Sequence, residues 1–201
     1  WAMVAVVVLH LVGVAGFVWE PTRPLFAQLV PLNLIGNALL LVVYHEDQKT
    51  GTLWRLAVVG LIGFMAELTG VNTGLIFGDY TYGKPLGLQL AGTPLMIGVL
   101  WAMLIYMFTA VAASYRKVLL TGGGALAMTL FDVVMEPGAV KIGLWSWSGA
   151  TIPLLNYITW FALSALLFAW MAPVAGQIKN RLALTILLSQ LLFFKALWVL
   201  L

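Results

Sequence analysis

The chain has 201 residues, of which 63% are hydrophobic and only 8% charged, and a mean hydropathy of +1.04. Soluble globular proteins are about half apolar and a quarter charged, so this is the composition of an integral membrane protein. A formal charge of +3 would suit nucleic acid in a soluble protein. Here the cations fall in short segments between apolar runs, where they report topology, and no nucleic-acid partner is expected. Cysteine is absent, which excludes thiol catalysis, disulfides and Cys-ligated metal or iron–sulfur sites.

Apolar runs of about 16 to 23 residues predict seven transmembrane helices, at about 1–18, 25–44, 54–70, 94–115, 117–136, 153–174 and 182–201. At a rise of 1.5 Å per residue, such runs cross a hydrocarbon core roughly 30 Å thick. The expected fold is therefore all-α: one polytopic transmembrane domain over 1–201, lying in the lipid bilayer, with no soluble domain. No charged n-region or small-residue cleavage site is visible, so a cleaved signal peptide is not expected. The loops after helices 2, 4 and 6 carry Lys49, Arg55, Arg116, Lys117, Lys179 and Arg181, against Arg23, Lys84 and Lys141 after helices 1, 3 and 5. An excess of Lys and Arg marks the cytoplasmic side. This predicts a multi-pass protein of the cell (inner) membrane with its amino terminus in the cytoplasm.

On helix 2, Asn33 and Asn37 are spaced i and i+4; they are expected to bond a neighbouring helix or to line a substrate channel. His10 and His45 are too scattered for a metal site, and His45, at the cytoplasmic corner Tyr44-His45-Glu46-Asp47, reads as solvated. Helix 3 carries Glu67 and is followed by Gly78-x-Tyr80-x-Tyr82, then Pro94 and Trp101 on helix 4. Helix 5, opening on Gly122-Gly123-Gly124, carries Asp132 and Glu136 and is followed by Gly143-x-Trp145-x-Trp147, then Pro153 and Trp160 on helix 6. In both copies an acid stands 11 residues before the glycine and a tryptophan 7 after the proline.

Both hairpins run the same way through the membrane, so units of about 54–115 and 117–174 form a parallel repeat about an axis along the membrane normal. Each proline is expected in the first turn of its helix, where its missing N–H costs nothing. Glu67 and Asp132 are expected to approach across the repeat axis, with the site near the outer face. The glycine triplet lacks the lysine and spacing of a phosphate loop and reads as close contact between helices. Lys195, inside helix 7, is expected to extend its ammonium to the interface.

An ionisable group at membrane depth costs roughly 2.5–3.5 kcal/mol on insertion scales, so each acid is a candidate for function. Glu136, beside Pro137, also reads as a solvated helix end, and Glu67 with Asp132 as a structural polar clasp. Carboxyl groups close together in an apolar site favour sharing a proton, which makes one of them a general acid. Aromatic faces attract a cation. Acid and rings together suit a reaction that protonates a carbon–carbon double bond and passes through a carbocation. Trp and Tyr are also the ordinary belt residues of a bilayer interface, and the rings of the two pairs admit that reading too.

The stretch Phe77-Gly78-Asp79-Tyr80-Thr81-Tyr82, with Leu86-Gly87 and Gly92-Thr93-Pro94, then Asp132, Glu136-Pro137-x-Ala139, Gly143-x-Trp145-x-Trp147 and Pro153-x-x-Asn156, resembles the membrane carotenoid hydratases. These enzymes of bacterioruberin and myxol-type routes are related to the transmembrane lycopene cyclases. The resemblance covers roughly 60–165; outside it the helices match only as apolar spans, and Thr93 stands where Val or Ile is expected before the proline. It implies addition of water to the terminal C1–C2 double bond of an acyclic carotenoid, with no metal or other cofactor. Other enzymes of the carotenoid pathway are possible partners.

Asp132 is the first choice for proton donor and Glu67 the second. Tyr80, Tyr82, Trp145 and Trp147 would flank the tertiary cation, Trp101 and Trp160, two turns down their helices, would also bind substrate, and Glu136 or Asn156 would hold the attacking water. A cyclase begins with the same protonation, so the acids alone leave cyclisation open. A small transporter or binder of a lipophilic ligand is the alternative from another class.

Overall fold

A computed structural model describes residues 1–46, 51–112, 119–149 and 151–201. Among them are seven α-helices: α1 (Ala2–Val18), α2 (Arg23–Val43), α3 (Thr52–Thr73), α4 (Met96–Val111), α5 (Gly124–Lys141), α6 (Leu154–Ala175) and α7 (Ala183–Leu200). Five helical segments are long and apolar enough to cross a membrane, whereas α1 and α4 are shorter, at 17 and 16 residues. The molecule is an all-α polytopic membrane protein. Many of its large apolar side chains point outward, among them Leu11 at 63% and Leu192 at 65% exposure, as lipid-facing residues must.

Helix α4 occupies the centre. It packs on α2, α3, α5, α6 and α7, and it buries Trp101, Leu104, Ile105 and Met107 almost completely. Around it the series α2, α1, α7, α5, α6, α3 packs each on the next. Contacts between loops show that successive helices alternate in direction. Glu46 N–H donates to the Lys179 carbonyl at one end of the bundle, while Gly83 N–H donates to the Leu144 carbonyl and Lys141 Nζ to the Trp198 carbonyl at the other.

Among the described residues, four short strands escape the apolar-run reading. Strands β1 (Tyr80–Tyr82) and β4 (Trp145–Trp147) pair antiparallel, with Tyr80 opposite Trp147, Thr81 opposite Ser146 and Tyr82 opposite Trp145. Strands β2 (Gln89–Leu90) and β3 (Thr93–Pro94) form a hairpin over Ala91-Gly92, both at positive φ, the backbone of a two-residue type I′ turn.

Several expectations change. Pro94 lies in β3, two residues before α4, and Pro153 is the N-cap of α6, so neither proline occupies the first helical turn. Helix α5 continues past Pro137 to Lys141, which leaves Glu136 2% exposed and removes the solvated-end reading. Asn37 bonds Asn33 within α2, its Nδ2 donating to Oδ1 at 2.6 Å, instead of reaching another helix. His45 is buried, not solvated.

Of the three glycines, only Gly124 lacks room for a side chain, a Cβ there lying 3.2 Å from the Phe168 ring, while Leu119–Gly123 form a π-helical turn that packs on α6 and leads into α5. Lys195 is exposed and its Nζ lies 3.8 Å from the Trp198 ring centre. Arg55 belongs to the first turn of α3, where it donates to the Trp170 carbonyl and lies over the Trp54 and Trp170 rings. Asp47, Lys49, Arg116 and Lys117 lie outside the described residues.

Candidate active site

The β1–β4 pair closes one end of the bundle and aims four rings downward. Its ladder is extended by Ser148 N–H to the Asp79 carbonyl and Gly83 N–H to the Leu144 carbonyl, at 3.0 and 2.8 Å. Alternation along a strand sends residues i and i+2 to the same face, so Tyr80 with Tyr82 and Trp145 with Trp147 share one side, and Thr81 and Ser146 meet on the other. The approach to β1 needs glycine at 78: φ is +106° there, and a Cβ would come within 2.7 Å of Pro153 Cγ.

Glu67 lies on α3 below the pair, 4% exposed. Its Oε2 accepts from the hydroxyls of Tyr80 and Tyr82 at 2.5 and 2.7 Å, and its Oε1 from Trp101 Nε1–H at 3.1 Å. Burial first, and then the Glu67 carboxylate, push both phenols well above the usual tyrosine range, so they remain protonated donors. Gly63 makes room for the third donor, since a Cβ there would sit 2.4 Å from Trp101 Cγ. The Trp101 indole in turn stacks on Trp160, with ring centres 4.6 Å apart and planes at 28°.

On α5, Glu136 receives the second aromatic pair. The Nε1–H groups of Trp145 and Trp147 both donate to its Oε2, at 2.8 and 3.0 Å, so neither bond uses Oε1. One turn earlier, Asp132 is fully buried; its Oδ2 accepts from Asn156 Nδ2 at 2.8 Å, and its Oδ1 has no hydrogen-bond partner. The ring pairs are therefore not simple belt residues. Their polar tips point at buried carboxylates rather than at an aqueous interface.

The groups meet at a cavity of about 20 Å³ lined by Glu67, Glu136 and Asn156, by Tyr80, Tyr82, Trp145 and Trp147, and by Trp101 and Trp160. Such a volume holds about one water molecule. Nine of the ten residues singled out from sequence line it; Asp132 does not, and it faces Asn156 instead. Phe77, quoted with its motif but given no role, completes the wall with Ile97, Leu100 and Met135, which were not singled out. The repeat held a signal for Ile97, which follows Pro94 by three residues as Asn156 follows Pro153. Among the described residues no group of three or more His, Asp or Glu side chains is arranged to hold a metal ion.

Carboxyl groups held by aromatic donors around a water-sized cavity, inside a helical bundle with a lipid-facing exterior, define a polytopic membrane protein with an internal acid–aromatic site. Residues 29–201 match the family described as carotenoid biosynthesis protein, and the chain belongs to that family. Bisanhydrobacterioruberin hydratase of Haloarcula japonica is 31% identical over 170 residues, covering 76% of this chain and 56% of that protein. The chain thus spans about half the length of that curated relative. No solved structure matches the chain.

Proposed function

We propose that the protein adds water across the terminal C1–C2 double bond of an acyclic carotenoid. Membership of the carotenoid biosynthesis family and the likeness to a hydratase support the substrate class and the reaction. The observation that carries the reading is the cavity itself, wide enough for about one water molecule and bordered by Glu67, Glu136 and seven aromatic side chains, Tyr80, Tyr82, Trp145 and Trp147 among them.

Glu136 and Asp132 occupy consecutive turns of one helix in a site almost without solvent. In this reading they share one proton, which Glu136 delivers from Oε1 to C2 of the end group. The tertiary cation forms at C1 between the rings of Tyr80, Tyr82, Trp145 and Trp147, whose faces stabilise it in a dry pocket. The cavity water attacks C1. Glu67, its charge held by three donors, takes the proton that this water loses, so a tertiary alcohol leaves and one proton has crossed from Glu136 to Glu67. The priority given to Asp132 from sequence moves to its neighbour, because Glu136 borders the cavity. For an isoprene end to come in, the side of the half-buried Tyr82 and Trp147 must open.

The same proposal takes the units of about 54–115 and 117–174 as one site within a single domain. It sets the amino terminus in the cytoplasm of an inner-membrane protein and the site near the outer face. The test is co-expression with a lycopene-producing pathway and mass analysis of the pigments. Product heavier by one water supports hydration. A product of unchanged mass with new rings would make the protein a cyclase, and unmodified lycopene bound to the protein would make it a carrier.

A further inference from the structure

The helices around α4 do not close evenly. Between α2 and α3, both of which pack on α4, lies a groove of about 330 Å³, far larger than the cavity at the carboxylates and of the size of an ordinary ligand site. Ala38 and Leu41 of α2 form one wall, Ala57 and Gly60 of α3 the other, and Ala102 lies on the floor. Val42 and Leu53 also line the groove and are 43% and 46% exposed, so it opens sideways to the bilayer. It shares no lining residue with the carboxylate cavity. Gly60 and Gly98 bring α3 and α4 together there, so that a Cβ on either would lie 2.9 Å from the carbonyl oxygen of the other.

The groove is apolar except at the end formed by His45 and Tyr106. Asn180 Nδ2 donates to the Tyr106 hydroxyl at 3.0 Å, and that oxygen lies 2.9 Å from His45 Nδ1. The Asn180 side-chain oxygen is already taken by the Leu182 N–H. The Tyr106 hydroxyl therefore has Nδ1 as the acceptor for its own proton. A neutral imidazole that accepts at Nδ1 carries its hydrogen on Nε2. His45 Nε2 is buried and has no hydrogen-bond partner. A buried N–H donor without an acceptor thus lies beside this end of the groove, which costs about 1–3 kcal/mol unless an oxygen reaches it. A lipid acyl tail offers it nothing.

We propose that the α2–α3 groove is a second binding site, which takes the apolar chain of a carotenoid that carries an oxygen at its end, with that oxygen accepting from His45 Nε2. The identity of the chain rests on the carotenoid reading above. The site selects hydrated or half-hydrated carotenoid over the plain hydrocarbon, and it reaches its ligand directly from the bilayer.

The protein in lipid nanodiscs is titrated with lycopene and with its monohydroxylated derivative, and binding is followed by the shift of the visible absorption band. The hydroxylated probe is expected to bind at least tenfold more tightly than lycopene. His45→Phe removes that preference and His45→Gln, which keeps a donor, restores part of it; Ala38→Trp fills the groove and weakens both probes at least tenfold. Unchanged binding in Ala38→Trp, or a hydroxyl preference that survives His45→Phe, overturns the proposal. Because no turnover is read, a protein that shows the preference yet adds no water would lose the hydratase reading and keep the groove.

Discussion

Glu67 accepts from two phenols and one indole, and both of its oxygens are engaged; Glu136 accepts from two indoles through a single oxygen and has Asp132 one turn away. The same strand pair holds both, with Tyr80 opposite Trp147 and Tyr82 opposite Trp145. Three donors fix a carboxylate and compensate its charge. One engaged oxygen and a second acid leave a group able to carry a proton and release it toward the cavity. The two occurrences of the motif differ in which turn of the helix carries the engaged acid, with phenol donors on one strand of the pair and indole donors on the other.

The difference can be broken at the acids first. Glu136→Gln and Asp132→Asn should each lower turnover by about 10³-fold, within the range for loss of a general acid, while Glu67→Gln should cost about 10²-fold. Turnover per folded protein in membranes measures this, and an equal loss at Glu67 and Glu136 would abolish the division of roles. The donors come next. Trp145→Phe and Trp147→Phe should each slow the reaction about tenfold, since a hydrogen bond to a charged group contributes about 1.5 kcal/mol or more and a phenyl face attracts a cation less than an indole face does.

Tyr80→Phe and Tyr82→Phe keep a ring and lose a donor to Glu67. A loss of about fivefold in each is expected, with folding intact by thermal unfolding in detergent; a loss larger than that of the tryptophan variants would reverse the order of the two units. Gly63→Ala sharpens the comparison from behind. Its methyl displaces Trp101 from Glu67 and should cost about 1–3 kcal/mol of stability, as overfilled interiors do, with activity falling less than threefold. The smallest effect belongs to Lys195→Met: its ammonium rests on Trp198, and activity should change by less than twofold.

Composition and run length were enough to read the helical membrane fold, because hydrocarbon demands long apolar helices and little else. The aromatic pairs, acids and tryptophans were legible as a repeat and meet at one cavity, apart from Asp132. The pairing of acid with rings was not. Counting back 11 residues from each glycine aligns Glu67 with Asp132, yet it is Glu136 that receives Trp145 and Trp147. Spacing along a chain cannot see this shift of one turn, because Asp132 and Glu136, four residues apart, lie on one face of α5 and only the fold decides which of them the rings reach.

Strands β1 and β4 were hidden for a related reason: three residues are too few to show a period, and their partners lie 65 positions apart, as Thr81 does from Ser146. His45 was misread because a polar corner between helices looks solvated until Tyr106, 61 positions away, covers it.

Helix α4 has 16 residues, about 24 Å at 1.5 Å per residue, and is therefore shorter than a hydrocarbon core of roughly 30 Å. A lipid-facing helix of that length would have to thin the bilayer around it. Helix α4 meets protein on α2, α3, α5, α6 and α7, so thickness does not constrain it. If the proposed orientation holds, the shortfall leaves a recess within the slab under the paired strands β1 and β4. On the proposed function, water-demanding groups would then sit at hydrocarbon depth without distorting the membrane, and the reacting end of a carotenoid would not have to leave the bilayer to meet them.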